Sequence, residues 1–261
     1  MTGARGLALV TGASSGIGFE LAKLFSEDGY DVVVAADDDA IHASAEKLGS
    51  AGTDVIPVQA DLRRPEEVQR LYRTATEGGR HLTAAALNAG TGGAGKFVER
   101  DLESDLDVVD LNVRSTVLLS KLVLQDMAAQ GSGKVLYTSS IVAQMPGSHQ
   151  AMYAASKSFV QSFAEALHDE MRDTGVTVTS LMPGPTDTNF FARLGMADTV
   201  VGRMPKDDPG EVAKQGYDAM MRGEQKVVAA SPMSKAMGLV NRFLPDSVKA
   251  VAHRLISQPP P

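Results

Sequence analysis

Short apolar runs of valine, leucine and alanine alternate along the chain with segments of helical periodicity. We predict seven strands from these runs, near residues 7–10, 32–36, 55–59, 84–88, 134–139, 176–182 and 226–230. Between them apolar residues recur at helical spacing, as in Ile17, Leu21 and Leu24, which is typical of a helix with one buried face. Strands that are apolar throughout must be covered on both sides. The pattern therefore predicts an α/β fold, a doubly wound parallel sheet with helices on both faces.

The length of the chain favours one domain. Its 261 residues, 43% of them hydrophobic, suffice for one large core, and we expect a single domain over residues 1–261. Periodicity fades over residues 190–209, which we predict to form a substrate lid, since long loops in compact domains are usually functional or disordered. Residues 231–256 regain near-helical apolar spacing and predict a C-terminal helical extension.

Charge and cysteine content restrict the partners. The formal net charge is −7 and the basic residues are scattered, so we expect no nucleic-acid partner. The sequence contains no cysteine, which excludes disulfides and thiolate metal ligands. The absence of cysteine favours a reducing, cytoplasmic location. We expect no metal site. We also expect no leader and no transmembrane segment, since no run approaches the roughly 18 apolar residues that a span requires.

The glycine-rich stretch LVTGASSGIGFELAKLF, residues 9–25, fits two chemistries. Ser14 between Gly12 and Gly16 matches the G-x-S-x-G elbow of hydrolases. That elbow needs an oxyanion loop from an earlier strand, and only eleven residues precede Gly12. It also needs a late histidine, and the candidate, His253, lies on an amphipathic stretch where we expect a solvated surface position. The hydrolase interpretation is therefore disfavoured.

The same glycines fit a dinucleotide-binding turn. Gly12 permits the tight turn, Gly16 lets the backbone approach a pyrophosphate, and Gly18 lets the helix that starts near Ile17 pack on the sheet. An acidic residue about 20 positions later should hold the adenosine ribose. Asp37 and Asp38 meet that requirement.

A tyrosine and a lysine four residues apart form a candidate catalytic pair. Tyr153 and Lys157 lie on a predicted helix, so their side chains share one face. An ammonium near a phenol favours the phenolate, and we expect the pKa of Tyr153 to fall below its usual value near 10. Ser140 lies thirteen residues before Tyr153.

Taken together, these motifs resemble those of the short-chain dehydrogenase/reductase family. The resemblance rests on T-G-x-x-x-G-x-G at the first turn, LNAG at 87–90, YTSS at 137–140 and YAASK at 153–157, and it runs from about Leu7 to Thr188. Leu87 departs from the family's usual asparagine. The resemblance implies a single Rossmann domain that transfers a hydride between a nicotinamide cofactor and an alcohol or carbonyl carbon.

The resemblance also implies roles for particular residues. Tyr153 would exchange the proton, and Lys157 would support it and bind the nicotinamide ribose. Ser140 would hold the substrate oxygen, and Asn112 would hold a water that links Lys157 to solvent. The implied cofactor-binding residues are Gly12, Ser14, Ser15, Gly16, Ile17, Gly18, Asp37, Asp38, Asp61, Leu62, Asn88, Ala89, Gly90, Tyr153, Lys157, Pro183, Gly184, Thr186 and Thr188. Within this set Asp61 would meet the adenine and Thr188 the carboxamide.

The carboxylates after the second strand favour NAD(H). Asp37 stands where phosphate-binding relatives commonly carry arginine, and Ser15 where many carry a basic residue, and a carboxylate repels a 2′-phosphate. NADP(H) stays open, because the aspartate of NAD-dependent members aligns with Ala36.

The residues around the reacting carbon predict a lipophilic substrate. The resemblance implies that, beside Ser140, the lining is formed by Val142, Met145, Met152, Phe190 and Phe191, followed by Leu194 and Met196, with few charges among them. Alternatively, Phe190 and Phe191 pin the loop to the body. The C-terminal extension could cover the pocket, touch a membrane surface or pack on a partner subunit.

We expect a homodimer or homotetramer. Two predicted helices over 102–127 and 153–171 resemble the family's interface helices, and the first carries Leu106, Val109, Val113, Val117 and Leu124. Two other functions remain open: a non-redox enzyme of the same fold, such as a dehydratase or epimerase, and a binding protein that senses the nucleotide. The second usually lacks part of the catalytic set.

Overall fold

The computed structural model describes residues 5–49, 52–229 and 246–257. The strands within these ranges are β1 (Leu7–Thr11), β2 (Asp31–Ala36), β3 (Val55–Gln59), β4 (Ala84–Leu87), β5 (Gly133–Thr138), β6 (Val176–Pro183) and β7 (Lys226–Ala229). They form one sheet in the order β3-β2-β1-β4-β5-β6-β7, and every pair is parallel. The predicted doubly wound fold is confirmed.

Helices cover both faces of this sheet. They are α1 (Gly16–Glu27), α2 (Ala40–Gly49), α3 (Pro65–Ala75), α4 (Leu102–Val109), α5 (Ser115–Gln130), α6 (Ala151–Glu170), α7 (Phe190–Arg193), α8 (Val200–Arg203), α9 (Pro209–Arg222) and α10 (Asp246–Ser257). A single π-helical turn, Asp110–Arg114, joins α4 to α5. The predicted lid thus contains two short helices. Residues 231–245 of the predicted C-terminal extension lie outside the described residues.

The two-residue period of the strands divides the core into two layers. In β1, Leu7 and Leu9 pack with α3, α5 and α6, whereas Ala8 and Val10 face α1, α2 and α9. Leu124 belongs to the first layer and is 7% exposed, so it does not contribute to the exposed apolar surface predicted for subunit contact. Leu106 and Val117 remain exposed, at 43% and 40%.

The order of the strands places the site. The chain moves outward from β1 to β3 and then returns to pair β4 on the other side of β1. The crevice at such a switch point, at the carboxyl ends of the strands, is where α/β sheets bind ligands. The turns after β1, β4 and β5 meet there.

Candidate functional site

The first turn needs glycines because its backbone adopts left-handed conformations and lies very close to neighbouring segments. Gly12 and Gly16 adopt φ values of 66° and 59°, in the left-handed region that favours glycine. A Cβ on Gly18 would collide with the carbonyl oxygen of Gly12, and one on Gly16 would lie 2.8 Å from Thr188 Cγ2. The turn therefore lies directly under the segment that follows β6, with the N-terminus of α1 pointing into the crevice.

Asn88 and Ala89 bind the end of β4 to this turn. The Thr11 hydroxyl accepts the backbone N–H groups of Asn88 and Ala89, both at 3.0 Å, and Asn88 Nδ2 donates to the Thr11 carbonyl at 3.2 Å. These bonds fix the position of the β4 turn relative to the glycine turn.

The acidic residues after β2 lie beside the glycine turn. Asp38 Oδ2 accepts a hydrogen bond from the Ser14 hydroxyl at 2.9 Å, while Asp37 is exposed. Ser15 occupies the N-cap position of α1 without a side-chain capping bond, and Ile17 is half-buried in the first turn. A helix N-terminus, a glycine cradle and a carboxylate at the next strand fit the phosphates and ribose of a dinucleotide.

Asp61, which follows β3, is paired with an arginine that the motifs did not identify. Arg63 donates to Asp61 through Nε at 2.8 Å and Nη2 at 2.9 Å, and its Nη1 donates to Asp107 Oδ2 at 2.9 Å. The hydrogen bonds from Arg63 lower the pKa of Asp61. The adjacent Leu62 is 5% exposed.

The catalytic candidates converge where β5 ends and α6 begins. Tyr153 is 9% exposed, and the side chain of Ser140 is near enough to lower its pKa. Lys157 is 5% exposed, and its Nζ donates to the Thr138 carbonyl at 2.8 Å and lies 6.0 Å from the centre of the Tyr153 ring. The neighbouring Ser139 points elsewhere, donating to the Lys157 carbonyl at 2.9 Å.

Burial controls the protonation of this pair. It raises the pKa of Tyr153 to about 12, against the smaller opposing effect of the nearby Ser140 side chain. It lowers the pKa of Lys157 from 10.5 to about 8, because a buried ammonium loses its hydration. The expectation that the pKa of Tyr153 falls below 10 is therefore wrong, because burial outweighs the effects that favour the tyrosinate.

Asn112 lies in the π-helical turn and is 1% exposed. Its amide exchanges two hydrogen bonds with the Thr91 backbone, at 2.8 and 2.9 Å, and donates to Ser156 Oγ at 2.8 Å. A π turn inside a helix often marks a functional site. A Cβ on Gly90 would lie 3.1 Å from Lys157 Nζ and 3.3 Å from Asn112 Oδ1, so the glycine lets both polar groups approach the backbone closely and brings them near each other.

The segment after β6 crosses the crevice. Pro183 is buried at the end of β6, and Gly184 accepts a hydrogen bond from the Thr186 hydroxyl at 2.9 Å. Thr188 Oγ1 accepts the N–H of Phe190 at 3.3 Å. The base of the excursion is closed by Asp207, which exchanges backbone hydrogen bonds with residues 185 and 187.

Aromatic and aliphatic side chains of this excursion reach the tyrosine. The Phe190 and Tyr153 rings lie 5.3 Å apart between centroids. A Cβ on Gly92 would lie 3.0 Å from the Tyr153 ring and 3.1 Å from Leu194 Cδ1, so Leu194 is also close. Phe191 is 9% exposed, with the Lys206 ammonium 5.3 Å above its ring; Phe191 thus pins the loop.

The remaining predicted lining residues precede or begin α6. Val142, Met145 and Met152 are half-buried, in the short helical turn after Ser140 and in the first turn of α6. Met196 is fully buried and contacts Gln150, whose Nε2 lies 3.0 Å from its sulfur.

His253 is not at the surface. It is 3% exposed, and its Nδ1 lies 2.9 Å from the Ser148 carbonyl oxygen. The expected solvated position is therefore wrong, because α10 packs on its own chain.

No helix among the described residues is long and apolar enough to cross a bilayer.

Comparisons with known proteins agree with this geometry. Residues 6–198 match a family model described as short chain dehydrogenase. The 1-deoxy-11-beta-hydroxypentalenate dehydrogenase of Streptomyces exfoliatus is 37% identical over 185 residues, which are 69% of this chain and 67% of that protein.

Solved structures share the fold. A short-chain dehydrogenase from Sphingobium yanoikuyae in complex with NADPH superposes with a TM-score of 0.79 at 27% identity, covering 92% of this chain and 96% of that one. The bulky-bulky ketone specific alcohol dehydrogenase from Comamonas testosteroni gives 0.75 at 24% identity, covering 93% and 96%.

Proposed function

The chain belongs to the short-chain dehydrogenase family, and on that premise we propose that it transfers a hydride between a nicotinamide cofactor and the alcohol or carbonyl carbon of a lipophilic substrate. One observation carries the proposal: Ser140 and Tyr153 are buried, at 8% and 9% exposure, the serine side chain is near enough to lower the pKa of the tyrosine, and the Lys157 ammonium lies 6.0 Å from the centre of the tyrosine ring. Two hydroxyls in such an arrangement can both bind one substrate oxygen.

Each side chain has a separate task in the proposed reaction. Bound nicotinamide supplies or accepts the hydride. In the reduction, Tyr153 donates its proton to the substrate oxygen as the carbonyl becomes an alcohol, and in the oxidation it takes that proton back. Ser140 donates a hydrogen bond that orients the oxygen. Lys157 stabilises the tyrosinate left after the proton transfer.

The protein must then return a proton to Tyr153. Lys157 Nζ and Asn112 Oδ1 both lie within 3.4 Å of one point beside Gly90, so the two groups are near enough to share one water, and a buried water needs two or more polar partners. We assign that water to the proton path. Asn112 itself is held by Thr91 and Ser156, which fixes the direction of its oxygen.

We further propose NAD(H) as the preferred cofactor, with NADP(H) as the competitor. Gly12, Gly16 and the α1 N-terminus would hold the pyrophosphate. A carboxylate at Asp37 or Asp38 can accept from the ribose hydroxyls and repels a 2′-phosphate. The similar structure from Sphingobium yanoikuyae holds NADPH, so the preference has to be measured.

Apolar residues beside the reacting centre support a lipophilic substrate. Phe190 and Leu194 flank Tyr153, and burial of apolar surface contributes roughly 25 cal/mol per Å². The related dehydrogenase from Streptomyces exfoliatus is named for a hydroxypentalenate substrate. Residues 190–209 would act as the lid of this pocket.

The test is a substrate panel with both cofactors, followed at the absorbance of the reduced nicotinamide. It spans polyols, sugars, β-ketoacyl thioesters, steroids, and aliphatic and aryl ketones. We expect the highest kcat/KM on a bulky ketone or the corresponding alcohol. The best efficiency on a polyol or sugar would refute the lipophilic pocket, and a product formed without net oxidation or reduction would favour a dehydratase or epimerase.

A further inference from the structure

The C-terminal helix reaches the turn that precedes the tyrosine helix. His253 Nδ1 lies 2.9 Å from the carbonyl oxygen of Ser148, and because a carbonyl oxygen only accepts, this nitrogen carries the hydrogen and donates it. Ser257 Oγ, on the next turn of α10, lies 3.2 Å from the same nitrogen and is buried. The helix also packs against α8 of the lid.

Residues 147–150, which we call the pre-helix turn, are held from two further sides. The backbone N–H of Gly95, in the turn region after β4, donates to the His149 carbonyl at 2.9 Å. Gln150 contacts Met196 of the lid and occupies the N-cap position of α6, three residues before Tyr153. His149 has a φ of 65°, which is uncommon for a residue other than glycine and persists only when surrounding contacts enforce it.

We propose that His253 is a positioning residue for the substrate site. Its hydrogen bond to Ser148 fixes the position of the pre-helix turn. That turn then positions the first residues of α6 and the part of the lid around Met196, which contacts Gln150. The C-terminal helix is thereby part of the substrate site, because His253 acts on it through the pre-helix turn. The inference rests on the proposed function, because the site that it positions is the proposed ketone site.

Burial of the contact favours the neutral form of the His253 imidazole. Burial lowers the pKa of His253, and the nearby His149 lowers it further, while the hydrogen bond to Ser148 opposes both. The other basic groups on α10 are Lys249, which is 9% exposed, and the exposed Arg254. On the lid side, Arg203 of α8 pairs with Asp198.

The sign of the pH dependence follows from the lowered pKa. An undocked imidazole titrates near 6.5, and the docked one binds its proton less readily. The contact is therefore fully stabilising above about pH 6.5 and weakens as the pH falls below that value, since protonation favours the undocked helix.

The first experiment measures the contact without any substrate. Hydrogen–deuterium exchange of residues 147–153 is compared at one pH, near 7.5, in the wild type, His253→Ala, His253→Gln and His168→Gln. His168 lies near the C-terminal end of α6 and is a matched control, because its Nδ1 makes the same kind of contact, 2.7 Å from the carbonyl oxygen of Val178 in β6. We expect exchange about tenfold faster in His253→Ala only, since a glutamine amide can still donate to Ser148. Thermal melts verify that all variants are folded.

The second experiment tests the positioning role with the best ketone of the panel. We expect KM for the ketone to rise about fivefold or more in His253→Ala, with the Kd for the reduced cofactor unchanged. In the wild type and His168→Gln, KM should rise between about pH 7.5 and 5.5, whereas His253→Gln should lack that rise.

The outcomes separate the two proposals. Unchanged exchange in His253→Ala would show that the contact does not hold the turn, whatever the activity. Faster exchange with an unaltered KM would refute the positioning role. A wild-type protein that reduces no ketone would refute the proposed function, and with it the role of His253 in that site.

Discussion

Substituting Gly90 by alanine tests the proton path that we place beside Lys157. The added methyl would lie 3.1 Å from Lys157 Nζ and 3.3 Å from Asn112 Oδ1, where it would crowd a water that is shared by the two groups. Loss of a hydrogen bond to a charged group costs about 1.5–3 kcal/mol. Since each 1.36 kcal/mol is tenfold in rate, kcat should fall about ten- to hundredfold.

The fold should tolerate this change. Gly90 does not have a positive φ, and the atoms nearest to the new methyl are the ends of side chains, so stability should change by no more than about 1 kcal/mol. The assay is kcat at saturating substrate and cofactor, with the cofactor Kd measured by fluorescence. Gly49→Ala is the control, because nothing lies within 4 Å of a Cβ there. A folded Gly90→Ala enzyme with kcat within about twofold of the wild type would refute the shared water.

Three further predictions concern pH, cofactor and assembly. Reductive kcat/KM should fall as the pH rises through about 8, because burial lowers the pKa of Lys157 to about 8 and the cation is lost above it; a flat profile to about pH 10 would contradict this role of the ammonium. The kcat/KM should be higher with NADH than with NADPH, and Asp37→Asn should reduce the ratio of the two values. A kcat/KM about tenfold higher with NADPH would contradict the assignment of NAD(H) as the preferred cofactor. The exposed Leu106 and Val117 predict a homodimer or homotetramer that Leu106→Lys weakens, and light scattering that shows only monomer at micromolar concentration would argue against it.

The strands and the order of the motifs could be predicted from the sequence because each depends on local pattern. A parallel strand buried on both faces is apolar throughout, as in β2 and β4. Gly12 and Gly18 are needed for local close approach. Tyr153 and Lys157 share a face because four residues nearly complete a helical turn.

Long-range contacts could not be predicted in the same way. The residues of the π turn, DLNVR, look like an ordinary helix in sequence, and the turn is visible only once Asn112 meets Thr91 and Ser156. The amphipathic pattern around His253 gave no information about what covers that helix. Burial, which dominates the pKa of Tyr153 and Lys157, depends on the whole packed site rather than on their spacing.

The most direct test of the proposed reaction is the turnover of Tyr153→Phe beside its affinity for the reduced cofactor. The substitution removes the exchangeable proton and retains the ring that packs against Phe190. General acid–base catalysis contributes about 10²–10⁴-fold, so turnover should fall by at least that range while the cofactor Kd stays measurable and close to the wild type. Lys157→Ala, in contrast, should weaken both turnover and cofactor binding. A Tyr153→Phe enzyme with wild-type turnover would contradict the assignment of Tyr153 as the residue that exchanges the proton.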